Sequence, residues 1–145
     1  MSQEGVERRI GYLIKQAQQT FHRACEERLR PLGLTMSQYA VLRALADVPG
    51  APAAELARRT FVTRQSLRDV LNGLQKAGLA TVADQPSTGR ARPVTLTESG
   101  RAQLDRADAI VLDIDNRMTA DLAPADLRQL AALLTTCIES LAEPT

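Results

Sequence analysis

Residues 55–79 read "ELARRTFVTRQSLRDVLNGLQKAGL", and residues 85–97 read "QPSTGRARPVTLT". The first stretch predicts two short helices joined by a tight turn, one over about Ala53 to Thr60 and a second opening at Thr63, a good N-cap. Leu67, Val70, Leu71 and Leu74 recur at helical spacing and form the buried stripe of the second helix, and Gly78 supplies its stop. Small Ala57, ten residues before Leu67, lets the two helices cross closely. Such a pair fits a helix-turn-helix. After Gly78 the period changes. "LATVA" (79–83) and "PVTLT" (93–97) are strand-like, with Val94 and Leu96 alternating against Thr95 and Thr97. Nine residues rich in turn formers separate them, so a β-hairpin wing follows the helix-turn-helix and carries Arg90 and Arg92 near its tip.

Working outward, Val6, Ile10, Leu13, Ile14, Ala17, Phe21, Ala24, Cys25 and Leu29 recur every three or four residues and predict one amphipathic helix over about Val6 to Leu29. Pro31 and Gly33 end it. "TMSQ" follows, with Thr35 as N-cap and Gln38 completing a capping box. The helix it opens carries Tyr39, Leu42 and Leu45 and stops at "VPGAP". Beyond the wing, Thr97 caps a long helix over about Glu98 to Ala120, with Leu104, Ala107, Val111, Ile114 and Met118 on one side. Pro124 opens the last helix, whose apolar positions are Leu127, Leu130, Leu133, Leu134, Cys137, Ile138 and Leu141. The expected fold is mainly α with a small β-hairpin wing: a winged helix-turn-helix over 35–97, flanked by N- and C-terminal dimerisation helices over 6–34 and 98–142, all within one domain spanning 1–145. The amphipathic terminal helices can cover one another within a monomer or form a helical dimer interface. The dimer is the favoured reading, because it sets two recognition helices about one DNA turn apart, ~34 Å, on a pseudo-palindromic site.

Composition bounds the function. The chain has 145 residues, 44% of them hydrophobic, with no Trp, two Tyr and two Phe, so its core is aliphatic. No apolar run approaches the ~20 residues of a membrane span, and "MSQEGVERR" lacks the apolar core of a signal peptide. A cytoplasmic protein without membrane contact is expected. Cys25 and Cys137 form no CxxC pair and His22 is the one histidine, so no metal site and no cofactor are expected. Without a phosphate loop or an activated nucleophile, an enzyme is the weakest reading. Net charge is +1, yet residues 53–97 carry seven basic and three acidic side chains, an excess of +4 that leaves −3 for the rest. A basic middle between acidic flanks suits a polyanionic partner.

With these elements in place, the chain resembles the MarR family of bacterial transcriptional regulators. "LRPLGLTMSQYAVLRAL" (29–45) is similar to the family's segment leading into its second helix, the quoted helix-turn-helix to its DNA-reading unit, and "GRARPVTLTESG" (89–100) to its wing and the start of its long fifth helix. Leu96, Thr97 and Gly100 reproduce a Leu-Thr-x-x-Gly marker. The resemblance implies an obligate homodimer on palindromic double-stranded DNA, usually a repressor released by a small, often phenolic ligand or by oxidation. The chain departs from the pattern at Thr88, where wings of the family often carry Asp, at Val82-Ala83, where the strand is often basic, and at Asp69, where the recognition helix often has a basic residue. Each departure removes positive potential.

On this reading Thr63, Arg64, Gln65, Ser66, Arg68 and Asn72 face DNA from the recognition helix. Arg suits guanine and Gln or Asn suits adenine in the major groove, and Thr63 can reach a phosphate. Arg90 and Arg92 suit a narrow minor groove. Asp69 can accept from cytosine or pair with Arg64 or Arg68. His22, Met36, Tyr39, Arg43 and Phe61 are candidate walls of an effector cavity between the lobes. Two alternatives stand beside this reading: a winged-helix module that binds protein, and a regulator that senses oxidants through Cys25.

Overall fold

The computed structural model describes residues 3–82 and 93–142. The elements run α1 (Gln3–Glu7), α2 (Ile10–Leu29), a 3-10 turn (Arg30–Leu32), α3 (Met36–Asp47), α4 (Ala53–Thr60), α5 (Arg64–Lys76), β1 (Ala80–Val82), β2 (Val94–Leu96), α6 (Glu98–Met118) and α7 (Pro124–Leu141). The expected single helix from Val6 is two. Arg9 takes an extended conformation between α1 and α2, and Gly5 and Gly11, each about 1 kcal/mol poorer than Ala in a helix, flank the break.

The helix starts follow their capping chemistry. Thr35 Oγ1 accepts from Gln38 N at 3.1 Å while Gln38 Oε1 accepts from Thr35 N at 2.9 Å, the expected capping box. The Glu26 carboxylate adds a third contact there, accepting from Met36 N at 2.7 Å. Thr63 caps α5 by accepting from Ser66 N at 3.1 Å. At the other end α5 stops at Lys76, and Gly78 turns the chain with φ +76°.

The core is aliphatic. Leu29, Val41, Leu42, Leu67, Leu74 and Cys25 are its largest fully buried side chains. They come from α2, α3 and α5, and Leu104, Ala107 and Ile114 of α6 close the cluster. Ala57 of α4 is buried in it, so its small side chain does let α4 and α5 cross closely. The hairpin is antiparallel, pairing Ala80 with Leu96, Thr81 with Thr95 and Val82 with Val94. Leu79 of the first run and Pro93 and Thr97 of the second lie outside the paired strands, while Ala83 falls outside the described residues.

One junction ties these parts together. Thr97 N donates to Leu79 O at 3.1 Å, and Thr97 Oγ1 donates to Gly78 O at 2.6 Å while accepting from Gly100 N at 3.0 Å. Gly100 is buried so closely on the preceding chain that a Cβ there would lie 1.9 Å from Leu79 O and 2.9 Å from Leu79 C. The Leu-Thr-x-x-Gly marker therefore has a physical basis: the threonine caps α6 and grips the end of α5, and only glycine fits where α6 crosses Leu79.

α7 stands apart. Pro124 occupies its first turn, yet all of Pro124–Leu141 is exposed, with Leu127, Leu130, Leu133, Leu134, Ile138 and Leu141 between 38% and 89% accessible. Val6, Ile10, Leu13 and Ile14 at the start of the chain are exposed as well.

The Gly100 contact yields a direct test. Gly100→Ala should lower the urea-unfolding free energy by at least about 2 kcal/mol, in the range of overpacked cores, because backbone rather than a flexible side chain must move. The nearby exposed Ser99→Ala should change it by less than about 0.5 kcal/mol.

Candidate nucleic-acid interface and effector groove

The polar side of α5 is set by its buried stripe. Leu67 and Leu74 are buried and Val70 and Leu71 half-buried, which leaves Thr63, Arg64, Gln65, Ser66, Arg68, Asp69 and Asn72 exposed on the opposite side. No carboxylate among the described residues pairs with Arg64 or Arg68. Asp69 accepts from Gln65 Nε2 at 3.4 Å, so of the two readings offered for it, pairing with an arginine is not seen. Both guanidiniums are thus available to an incoming polyanion. The first turn of α5, with Thr63 Oγ1 donating to Ser66 Oγ at 3.1 Å, adds outward N–H groups of the kind that suit a phosphate. Arg90 and Arg92 lie outside the described residues.

The five expected cavity walls do not share one cavity. Tyr39 Oη donates to Asp108 Oδ1 at 2.7 Å, and Arg43 Nη1 donates to Asp108 Oδ2. Arg43 also holds Asp47 through Nη2 at 2.8 Å. His22 and Met36 meet elsewhere, on Glu26: His22 Nε2 lies 3.5 Å from the carboxylate that caps Met36 N. Phe61 belongs to neither group. It forms the turn of the helix-turn-helix in the left-handed conformation, φ +58°, with its ring 95% exposed, so its expected place in a cavity wall is corrected.

What the sequence reading missed is the partner on α6. Asp108 gathers Tyr39 and Arg43 and, with Phe21, Tyr39, Val111, Leu112 and Asp115, lines a groove of about 370 Å³ between α2, α3 and α6. A second groove of about 260 Å³ lies on the other side of Phe21, along Thr20, Ala24, Ile114, Arg117 and Met118. Arg28 on α2 pairs with Asp113, a further tie from α2 to α6. Asp108 was hidden in the sequence among Asp105, Asp113 and Asp115 on one helix. Its one signal is its place beside Ala107 and Val111 on the apolar stripe.

Cys25 is fully buried, and burial pushes its thiol above the ordinary range, with Arg28 opposing and Asp115 and Glu26 adding smaller upward contributions. A sensor thiol needs access and a lowered pKa, so the oxidant-sensing alternative is corrected for this residue. Burial, and then the bond to Asp108, likewise raises the Tyr39 phenol well above its ordinary value.

The comparisons with known proteins agree with this geometry. A model described as "MarR family" matches residues 32–91. The HTH-type transcriptional repressor Rv2887 of Mycobacterium tuberculosis is 38% identical over 125 residues, 86% of this chain and 90% of that protein. The chain belongs to the MarR family. It is a winged-helix transcriptional regulator. The crystal structure of Rv2887 in complex with DNA superposes with a TM-score of 0.72 at 35% identity, covering 89% of this chain and 97% of that one. Its complex with salicylic acid gives 0.74 at 36% identity over 89% and 96%.

Two predictions follow from the site. The raised Cys25 and Tyr39 groups favour the folded state fully below their ordinary values of 9.0 and 10.0, and that contribution is lost as pH rises toward the higher folded values. Urea midpoints should therefore fall more steeply between about pH 9 and 11 than between about 7 and 9, and Tyr39→Phe should flatten the alkaline limb. A steep limb unchanged by Tyr39→Phe would assign it to another group. Separately, Phe61→Gly should stabilise the fold by about 0.5–1 kcal/mol, since relief of roughly 1–2 kcal/mol of left-handed strain exceeds the added chain entropy of glycine and the exposed ring loses no packing.

Proposed function

We propose that this regulator is a homodimeric repressor that reads a pseudo-palindromic operator with α5 and is released by a small effector bound between its lobes. The observation that carries the reading is the exposed face of Arg64, Gln65, Ser66, Arg68 and Asn72 on the second helix of a helix-turn-helix, where Asp69 engages Gln65 and neither arginine has a carboxylate partner among the described residues. Arg64 and Arg68 are assigned to guanine or phosphate, Gln65 and Asn72 to adenine, and Thr63 to a phosphate at the helix start. Arg90 and Arg92 are assigned to the minor groove beside the site. The relative Rv2887, crystallised with DNA and with salicylic acid, supports both halves of the proposal.

The dimer is argued from surface. A helix of 18 residues with six large apolar side chains exposed needs cover, and a second copy supplies the same face by two-fold symmetry. α7, the start of α2 and the exposed Met118 and Leu122 are assigned to that contact. Effector binding then acts by population shift: it favours dimers whose recognition helices no longer match two successive major grooves.

The test is equilibrium binding to the chain's own upstream DNA and to a scrambled duplex across a salt series. The upstream duplex should bind more tightly, with a log–log slope of roughly −0.9 per phosphate contacted. Arg68→Ala should weaken that preference by about 5- to 150-fold, corresponding to about 1–3 kcal/mol for a lost bidentate base contact, while Arg90→Ala should make the slope shallower. Equal, shallow binding to both duplexes, unchanged in either variant, would reject the reading.

A further inference from the structure

The groove between α2, α3 and α6 has a one-sided chemistry. Its apolar wall is Phe21, Val111 and Leu112, and its polar groups are the Asp108 and Asp115 carboxylates and the Tyr39 phenol. The Tyr39 hydrogen is already committed to Asp108, so each of these three groups meets a ligand as a hydrogen-bond acceptor. None of the six lining residues is cationic. Arg43 is paired with Asp108 and Arg28 with Asp113, so both cations are already engaged, whereas Arg117 lies in the neighbouring groove beyond Phe21. Asp115 has no ion pair or side-chain hydrogen bond among the described residues, so its carboxylate is open to a donor.

We infer that this groove takes an amphiphilic monocation, an aromatic or bulky alkyl amine, rather than a carboxylate. This rests on the effector-released reading above and names the chemical class of the effector. The ammonium sits against Asp115 and Asp108, and its apolar body lies on Phe21, Val111 and Leu112, where the Phe21 ring also favours a cation. About 370 Å³ accommodates a single-ring amine.

The same placement explains how binding reaches DNA. Asp108 joins the groove to α3 through Tyr39 and Arg43, and α3 packs against α4 and α5. An ammonium drawn to Asp108 competes with both donors and loosens α3 from α6. The recognition helix then shifts relative to the dimerisation helices, and linkage requires that DNA weaken amine binding by the same factor.

The experiment is calorimetric titration of the full chain with 2-phenylethylamine and with 3-phenylpropanoate, similar in shape but opposite in charge, and with salicylate. It is run on the wild type, on Asp115→Asn and on Arg117→Gln. Operator binding is measured in parallel with and without each compound. The amine should bind at least tenfold more tightly than either carboxylate, lose about tenfold in Asp115→Asn, keep its affinity in Arg117→Gln, and weaken operator binding. Asp115 is exposed and its replacement isosteric, so an unchanged circular dichroism spectrum and melting curve will separate lost binding from lost fold. Carboxylates binding as well as the amine, amine affinity unaffected by Asp115→Asn, or no amine binding at all would each overturn the inference. Operator binding by the ligand-free protein stands or falls separately, so a failed amine site with intact operator preference leaves the DNA-binding reading in place.

Discussion

The architecture depends on a contact of a few atoms, where Thr97 and Gly100 meet Gly78 and Leu79. Thr97 Oγ1 gives its proton to Gly78 O and receives the Gly100 N–H, so one hydroxyl ends the α5 segment and begins α6. The absent Cβ of Gly100 lets α6 cross the Leu79 backbone at a distance no other residue permits. β1 and β2 leave and return at this point. The paired strands β1 and β2 and the end of α5 are thereby held against the start of α6.

A second tie is looser, and its looseness suits a switch. Asp108 of α6 holds Tyr39 and Arg43 of α3, but both members of the Arg43–Asp108 pair are about a third or more exposed. Such a pair contributes no more than about 1 kcal/mol. Its weight is geometric: it ties α6 to α3, against which α4 and α5 pack. The rigid junction at Gly100 and the soft link at Asp108 give α3 and α5 a pivot and a restraint.

The helix-turn-helix, the caps at Thr35, Thr63 and Thr97, and the stripe of Leu67 and Leu74 were legible in the sequence because each rests on local spacing. Gly78 was legible as a stop for the same reason. The groove between α2, α3 and α6 was legible only in part. Tyr39 was among the candidate cavity residues, but its partner is 69 residues away, and only a place on the apolar stripe marks Asp108 from the other acids of α6. Phe61 misled because aromatic residues usually seek cover. Here the turn forces it into a left-handed conformation that directs the ring to solvent. The break at Arg9 was invisible, since apolar spacing continues through it while the backbone does not.

The exposed α7 joins folding to assembly. An isolated helix of this length is marginal in water, and α7 buries none of its residues within its own chain. Fully burying a leucine or isoleucine contributes about 1.5–3 kcal/mol, so covering six half-exposed ones is worth several kcal/mol per chain. That is comparable to the whole stability of a domain this size, about 5–15 kcal/mol. A chain whose last helix draws its stability from a second copy cannot be folded throughout and monomeric at once. The two recognition helices of a dimer built this way are paired by the same burial that folds it.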